Sequence, residues 1–262
     1  MKMKLFDEIK QTLAISAGFT AAIILACYLA FDVHIVNRVR GLLGLPMPVL
    51  VVMDEVPTPI YFKKILPYAK KEGIPIGTFV REEGVKKWQA MSGKTIKKSL
   101  DEGVEIVPVL KTLSKNDATL KKSSLLNVKI AKEKQFFAKA GLNTDYFGYP
   151  WIYKQAQLSR PHMPKYCKAG IFYCGGINSY NEKPIKDKYM LGGHIAGGAK
   201  WSTNASAYID SVNMSNSLGI LVIQTWRGKQ FTDQEFAAFK DALRYAREIG
   251  VKIVTLHEAM GD

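Results

Sequence analysis

The sequence predicts an α/β fold: a (β/α) barrel of roughly seven strands, preceded by one transmembrane helix. Three observations carry this. Short apolar runs without polar alternation recur along residues 49–255 and alternate with helical patterns ended by glycine. No glycine-rich phosphate loop follows the first run, so an open doubly wound sheet fits less well than a barrel. Residues 13–31, LAISAGFTAAIILACYLAF, form 19 positions without a charge.

The apolar segment comes first in the chain. At 1.5 Å per residue it spans about 28 Å as a helix, close to the bilayer core. It follows Lys2, Lys4 and Lys10, which places residues 1–12 in the cytoplasm, although Arg38 and Arg40 oppose that orientation. A cleaved signal peptide fits less well than an anchor, because the run is long and lacks a clear small-x-small exit. Residues 32–46 hold Gly41, Gly44 and Pro46 and read as a linker to a folded domain at 47–262.

Residues 49–53 (VLVVM) read as a strand buried on both faces, with Asp54 and Glu55 at its end. Thr58 and Pro59 open a helix that Gly73 closes. Residues 74–80 form the next strand. Residues 85–100 read as one helix, 104–109 as a strand, and 118–140 as a long helix ending at Gly141. Strands follow at 146–149 and 169–174. Residues 176–202 read as a loop-rich stretch. A helix over 205–217 precedes a strand at 220–224. Thr232 and Glu235 form a capping box, Phe236, Phe239, Leu243 and Ala246 hold one helical face, and 251–255 is the last strand.

The chain has 262 residues and a formal charge of +14. Outside residues 1–45, 32 basic residues face 20 acidic ones. That balance suits a polyanion, an anionic membrane surface, or simply a solvated basic exterior. Basic residues are spread along the chain without arginine clusters, so nucleic acid is not an expected partner. Cys167 and Cys174 are the cysteines outside the apolar segment; a disulfide and two reduced thiols both remain open, since spacing says nothing of their Cα distance.

Several segments together resemble the polysaccharide deacetylase (NodB-homology) family, carbohydrate esterase family four, over about residues 47–260. VVMDEVP at 51–57 is similar to the family's strand ending in Phe-Asp-Asp-Gly-Pro. GTFV at 77–80 is similar to its Ala-Thr-Phe-Phe-Val strand. FGYPW at 147–151 stands where the family has Phe-Arg-Pro-Pro-Tyr-Gly, and ILVIQT at 220–225 where a strand ends in Leu-His-Asp. The resemblance implies a carbohydrate-facing groove and metal-assisted hydrolysis of N-acetylated sugars. It puts Asp54 at the general base and Glu55 at a metal-ligand Asp. The two metal histidines fall on Val109 and Leu113, the late general-acid histidine on Gln224, and a conserved-motif arginine on Gly148. Valine and leucine cannot ligate a metal, and glutamine cannot shuttle a proton near neutral pH.

The expectation is therefore a degenerate site with no resident metal. The protein would belong to cell-envelope or exported-polysaccharide metabolism. It would sit on the outer, periplasmic side of a bacterial inner membrane and bind a polysaccharide or an envelope complex. The alternative is an active hydrolase that removes acyl groups from sugars with Asp54 and Glu55, helped by His194 or His257, with zinc if other residues rebuild the site. His257 follows the last strand, and His194 lies in the glycine-flanked run 191–198. His162, in the 160–164 loop, is a third candidate. Each histidine has a plainer reading as a surface or capping residue, and Asp54 and Glu55 have one as caps of the helix at Thr58. Tyr149, Trp151 and Trp226 stand at strand ends as candidate sugar-stacking residues, or as core.

Overall fold

The computed structural model describes residues 33–45, 47–110, 123–149, 153–172, 188–196, 201–215, 217–225 and 231–261. The chain divides into two compact units, Met1–Met47 and Pro48–Asp262. Residues 13–31 lie outside the described residues. Among the described residues, no helix is long and apolar enough to cross a membrane.

In the first unit the expected linker is a helix, α1 (Val33–Leu42). Arg40 donates to the Asn37 side chain one turn back, at 3.3 Å. Gly44 takes a left-handed conformation (φ 64°), and Leu45 donates its N–H to the Arg40 carbonyl at 2.9 Å. This six-to-one closure turns the glycine that suggested a linker into a helix stop.

The second unit is a parallel barrel. Its strands are β1 (Val49–Asp54), β2 (Gly77–Val80), β3 (Ile106–Pro108), β4 (Tyr146–Gly148), β5 (Ala169–Phe172), β6 (Leu191–Gly192), β7 (His194–Ala196), β8 (Leu218–Ile223) and β9 (Lys252–Val254). β1 pairs with β2 and β8, and β2 with β3. β3 reaches β4 through the Val109–Gly148 bridge, and β4 pairs with β5. β6 pairs with β5, and β7 pairs with β8. Because β6 and β7 are one stretch of chain bent at Gly193, the ring closes through seven strand positions. β9 lies against the first half of β1, with Val49 opposite Lys252, on the edge that β2 takes at Met53 and Asp54.

The strand over 191–196 is the main correction to the sequence reading, which made this stretch a loop. Glycine weakens strand propensity, but tertiary pairing overrides it: Leu191 pairs with Ile171 and His194 with Leu221. The helix expected over 85–100 is also two helices, α3 (Glu82–Ser92) and α4 (Ile96–Asp101). Gly93 stops the first at φ 70°, and Thr95 caps the second by accepting from the Lys98 N–H.

Alternate residues feed two cores. Val51, Met53, Phe79, Val107, Ile171 and Ile220, drawn from strands around the ring, fill the barrel interior. Ile106, Phe147 and Phe172 face outward, against Trp88, Ile130 and Phe137 of the helices. Both faces are apolar, which explains the absence of alternation in the sequence. The helix after β1 opens as a π-turn (Tyr61–Ile65) and continues as α2 (Leu66–Glu72). Pro67 lacks the N–H that would close an ordinary turn, so the preceding turn widens. Thr58 still caps it, its hydroxyl accepting from the Tyr61 N–H at 3.3 Å.

Candidate functional site

The carboxyl ends of β1 and β8 lie side by side, with Asp54 opposite Ile223. The Glu55 N–H donates to the Ile223 carbonyl at 2.8 Å, and this register sets Glu55 beside Gln224. Glu55 continues the interior-facing series of Val49, Val51 and Met53, and Gln224 that of Leu218, Ile220 and Val222. The Gln224 side-chain amide donates to Glu55 Oε2 at 2.5 Å, and both residues are buried.

Asp54 belongs to the opposite series, on the helix side of the sheet, and is fully buried. Its Oδ2 accepts from the Thr225 hydroxyl at 2.7 Å and its Oδ1 from the Thr225 N–H at 3.2 Å. Thr58 donates to the Thr225 hydroxyl at 2.8 Å. The carboxylate thus ties the end of β1 to the end of β8 and, through Thr58, to the helix start. Burial pushes its pKa well above the usual carboxylate range; the Thr225 hydrogen bonds oppose that, and the Glu55 charge adds to it.

The positions that the resemblance gave to metal histidines fare differently. Val109 is a buried aliphatic at the end of β3. Leu113 lies outside the described residues. Among the described residues, no group of three or more His, Cys, Asp or Glu side chains could hold a metal ion. A buried valine at one ligand position and an amide donor already seated on Glu55 do not fit the divalent metal that the resemblance implies. No reaction step is derived through one.

His194 does not reach Glu55. It points outward from β7, its ring stacked on Tyr208 at 4.6 Å and 13°. Its Nε2 is buried and has no hydrogen-bond partner among the described residues, and burial lowers its pKa, favouring the neutral ring. His257 is at the wrong end. The sequence put it at the carboxyl end of the strands because it follows the last one. However, β9 pairs only with the first half of β1, so its end stays low in the barrel. The His257 Nδ1 meets Glu105 Oε1 at 2.6 Å and its Nε2 meets Asn143 Nδ2 at 3.0 Å; Glu105 immediately precedes β3, and Asn143 lies in the turn before β4. His162 is taken by Asn127 in the helix Ser123–Lys139, at 3.0 Å.

Tyr149 is core, not a sugar platform. It is fully buried among the outward-facing residues, and its hydroxyl donates to the Tyr189 carbonyl at 2.5 Å. Trp151, Trp226 and Cys174 lie outside the described residues. Cys167 is half-buried, and burial pushes its thiol up to about 12.

Three participants escaped sequence reasoning. Thr225, the partner of Asp54, stood in the ILVIQT stretch at 220–225 but was given no role there. Arg81 follows β2 at the carboxyl end and lines a cavity of about 340 Å³ with Glu82, Glu83, Val109, Lys132 and Phe136. Its position just past a strand end was the available signal. Glu105, in the DEGVEI stretch at 101–106, was given no role, because an acid ahead of a strand names no partner.

No family model matches the chain, and no curated protein matches it. Solved structures do. A Mycobacterium smegmatis protein provisionally named a polysaccharide deacetylase shares 10% identity, covering 82% of this chain and 90% of its own, at a TM-score of 0.55. A family 4 carbohydrate esterase from Bacillus anthracis shares 14%, covering 81% and 82%, at 0.50. A carbohydrate esterase family 4 pseudoenzyme from Bacillus anthracis shares 14% at a TM-score of 0.48, and this chain spans 66% of its length. The chain has the fold of the family 4 polysaccharide deacetylases.

Proposed function

We propose that this is a membrane-anchored, polysaccharide deacetylase-like protein of cell-envelope or exported-polysaccharide metabolism. Its anchor is residues 13–31, and its barrel stands on the outer face of a bacterial inner membrane. The site binds glycan or a protein partner and does not run metal-assisted deacetylation. One observation carries the reading: the Gln224 amide donates to Glu55 at 2.5 Å, where a proton-shuttling side chain would be needed. A carboxylate that accepts an amide is held as an acceptor, and an amide neither takes nor gives a proton near neutral pH. Asp54 supports the same reading, because it is spent on Thr225.

The test is acetate release from N-acetylglucosamine oligomers by the full chain, in parallel with binding of the same oligomers. The expected result is saturable binding without acetate release. Acetate release that disappears in Asp54→Asn or Glu55→Gln would overturn the reading in favour of an active hydrolase.

A further inference from the structure

The cavity beside Arg81 opens at the mouth of the barrel, one strand across from Glu55. Asp54 pairs with Thr78, so Glu55 and Phe79 form the next lateral pair. Val80 pairs with Pro108, so Arg81 and Val109 follow it in the same way. Arg81 is still extended (φ −94°, ψ 168°), which carries the interior-facing alternation of Phe79 one step further. Its Cα therefore stands about 7 Å beyond that of Phe79, toward the open end. The helix Ser123–Lys139 supplies the facing wall through Lys132, Glu133, Phe136 and Phe137, which share one helical face. Phe137 is buried, and Phe136 stands edge-to-face against it at 5.3 Å, itself half-buried.

The lining carries charges of both signs. Arg81 and Lys132 bring two positive charges, and Glu82, Glu83 and Glu133 bring three negative ones. Lys86 holds Glu82 at 2.6 Å, which leaves the lining balanced. A ligand with a net charge of its own would gain from one set of groups and lose to the other. Hydroxyl and amide groups use both sets, since carboxylates accept hydrogen bonds while guanidinium and ammonium groups donate them. Between the charged groups, Val109, Phe136 and Phe137 leave an apolar wall. Valine there leaves a surface that a methyl group or the C–H face of a sugar ring can cover. At about 340 Å³ the cavity lies at the small end of ligand pockets, which suits one ring better than a peptide segment.

We propose that this cavity is a subsite for one uncharged, N-acetylated pyranose unit of a glycan. Phe136 covers the apolar face of the ring, and Val109 packs against the acetyl methyl. Arg81, Glu83 and Lys132 hydrogen-bond its hydroxyl and amide groups. The next unit of the glycan then lies over the Glu55–Gln224 pair. This inference rests on the glycan-binding reading above and adds its specificity, for neutral sugar over amino sugar or uronic acid.

The test is calorimetric titration of the full chain with three oligomers of equal length, built from N-acetylglucosamine, glucosamine and galacturonic acid. The N-acetylated oligomer should bind roughly ten-fold or more tightly than either charged one, and its affinity should change less than about two-fold between low and high salt. Phe136→Leu keeps an apolar side chain against Phe137 and removes the ring; it should weaken binding roughly ten-fold with the urea midpoint near that of the native chain. Lys132→Ala, at an exposed position, should weaken it roughly three-fold, and Lys98→Ala, at the other end of the barrel, should leave it unchanged. Equal or tighter binding of a charged oligomer would overturn the proposal. Two further outcomes separate it from the reading on which it rests. Binding that persists unchanged in Phe136→Leu sinks the cavity alone, whereas no binding of any oligomer by the native chain sinks the glycan reading and the cavity with it.

Discussion

Gln224 holds Glu55 by a 2.5 Å hydrogen bond across the carboxyl ends of β8 and β1, with both side chains buried. The pair occupies the place where a barrel of this type presents its chemistry, and its two members cannot exchange a proton near neutral pH. Replacing Gln224 with Ala removes a donor to a buried carboxylate and should cost about 1–3 kcal/mol. Gln224→Glu should cost more, because two buried carboxylates would face each other. Urea unfolding of both variants checks the order.

Asp54 predicts a pH dependence of definite sign. Its folded pKa lies above the unfolded value, so the folded state holds the proton more tightly. Stability from this group is greatest at low pH and declines as pH rises from about 4 through the folded pKa. Asp54→Asn should remove that decline. The difference in unfolding free energy between the native chain and Asp54→Asn should therefore vary over this window and level off above it. A difference independent of pH would show that Asp54 is not penalised by burial.

Glu105 is a structural staple. Its carboxylate accepts the N–H of Leu256 at 2.8 Å, the N–H of His257 at 3.1 Å, and meets the His257 ring at 2.6 Å. It fastens the terminal helix Leu256–Met260 to the start of β3. Glu105→Gln should destabilise by about 1.5–3 kcal/mol. His257→Ala should leave glycan binding unchanged, which binding titration would verify.

Gly170 lies against Tyr149: a Cβ there would come within 2.7 Å of the ring. Gly170→Ala should cost about 1–3 kcal/mol through overpacking. Tyr149→Phe loses the bond to Tyr189 and should cost about 1 kcal/mol without altering glycan affinity. A large affinity loss in Tyr149→Phe would restore it as a sugar contact.

Much of the fold was legible because it rests on local signals. The apolar run at β1, the Thr58 cap, the Gly73 stop and the Thr232–Glu235 capping box each appear where the residue types require them. The run around His194 was not legible, because its strand exists only through partners on two different strands. Side-chain faces were harder still. Nothing in the order of residues says that β9 stops halfway up β1, so His257 could not be placed at the amino-terminal end. The site was half legible: Asp54, Glu55 and Gln224 were named, while the division between an interior Glu55–Gln224 pair and a helix-side Asp54–Thr225 pair needed the register of β1 and β8.

The most direct test of a degenerate site is the metal content of the purified full chain after exposure to zinc, cobalt and nickel, read by mass spectrometry. The account predicts that no ion is retained through desalting, and that Glu55→Gln behaves as the native chain does. About one tightly held ion per chain, lost on Glu55→Gln, would mean that residues outside this pair have rebuilt a metal centre, and would contradict it.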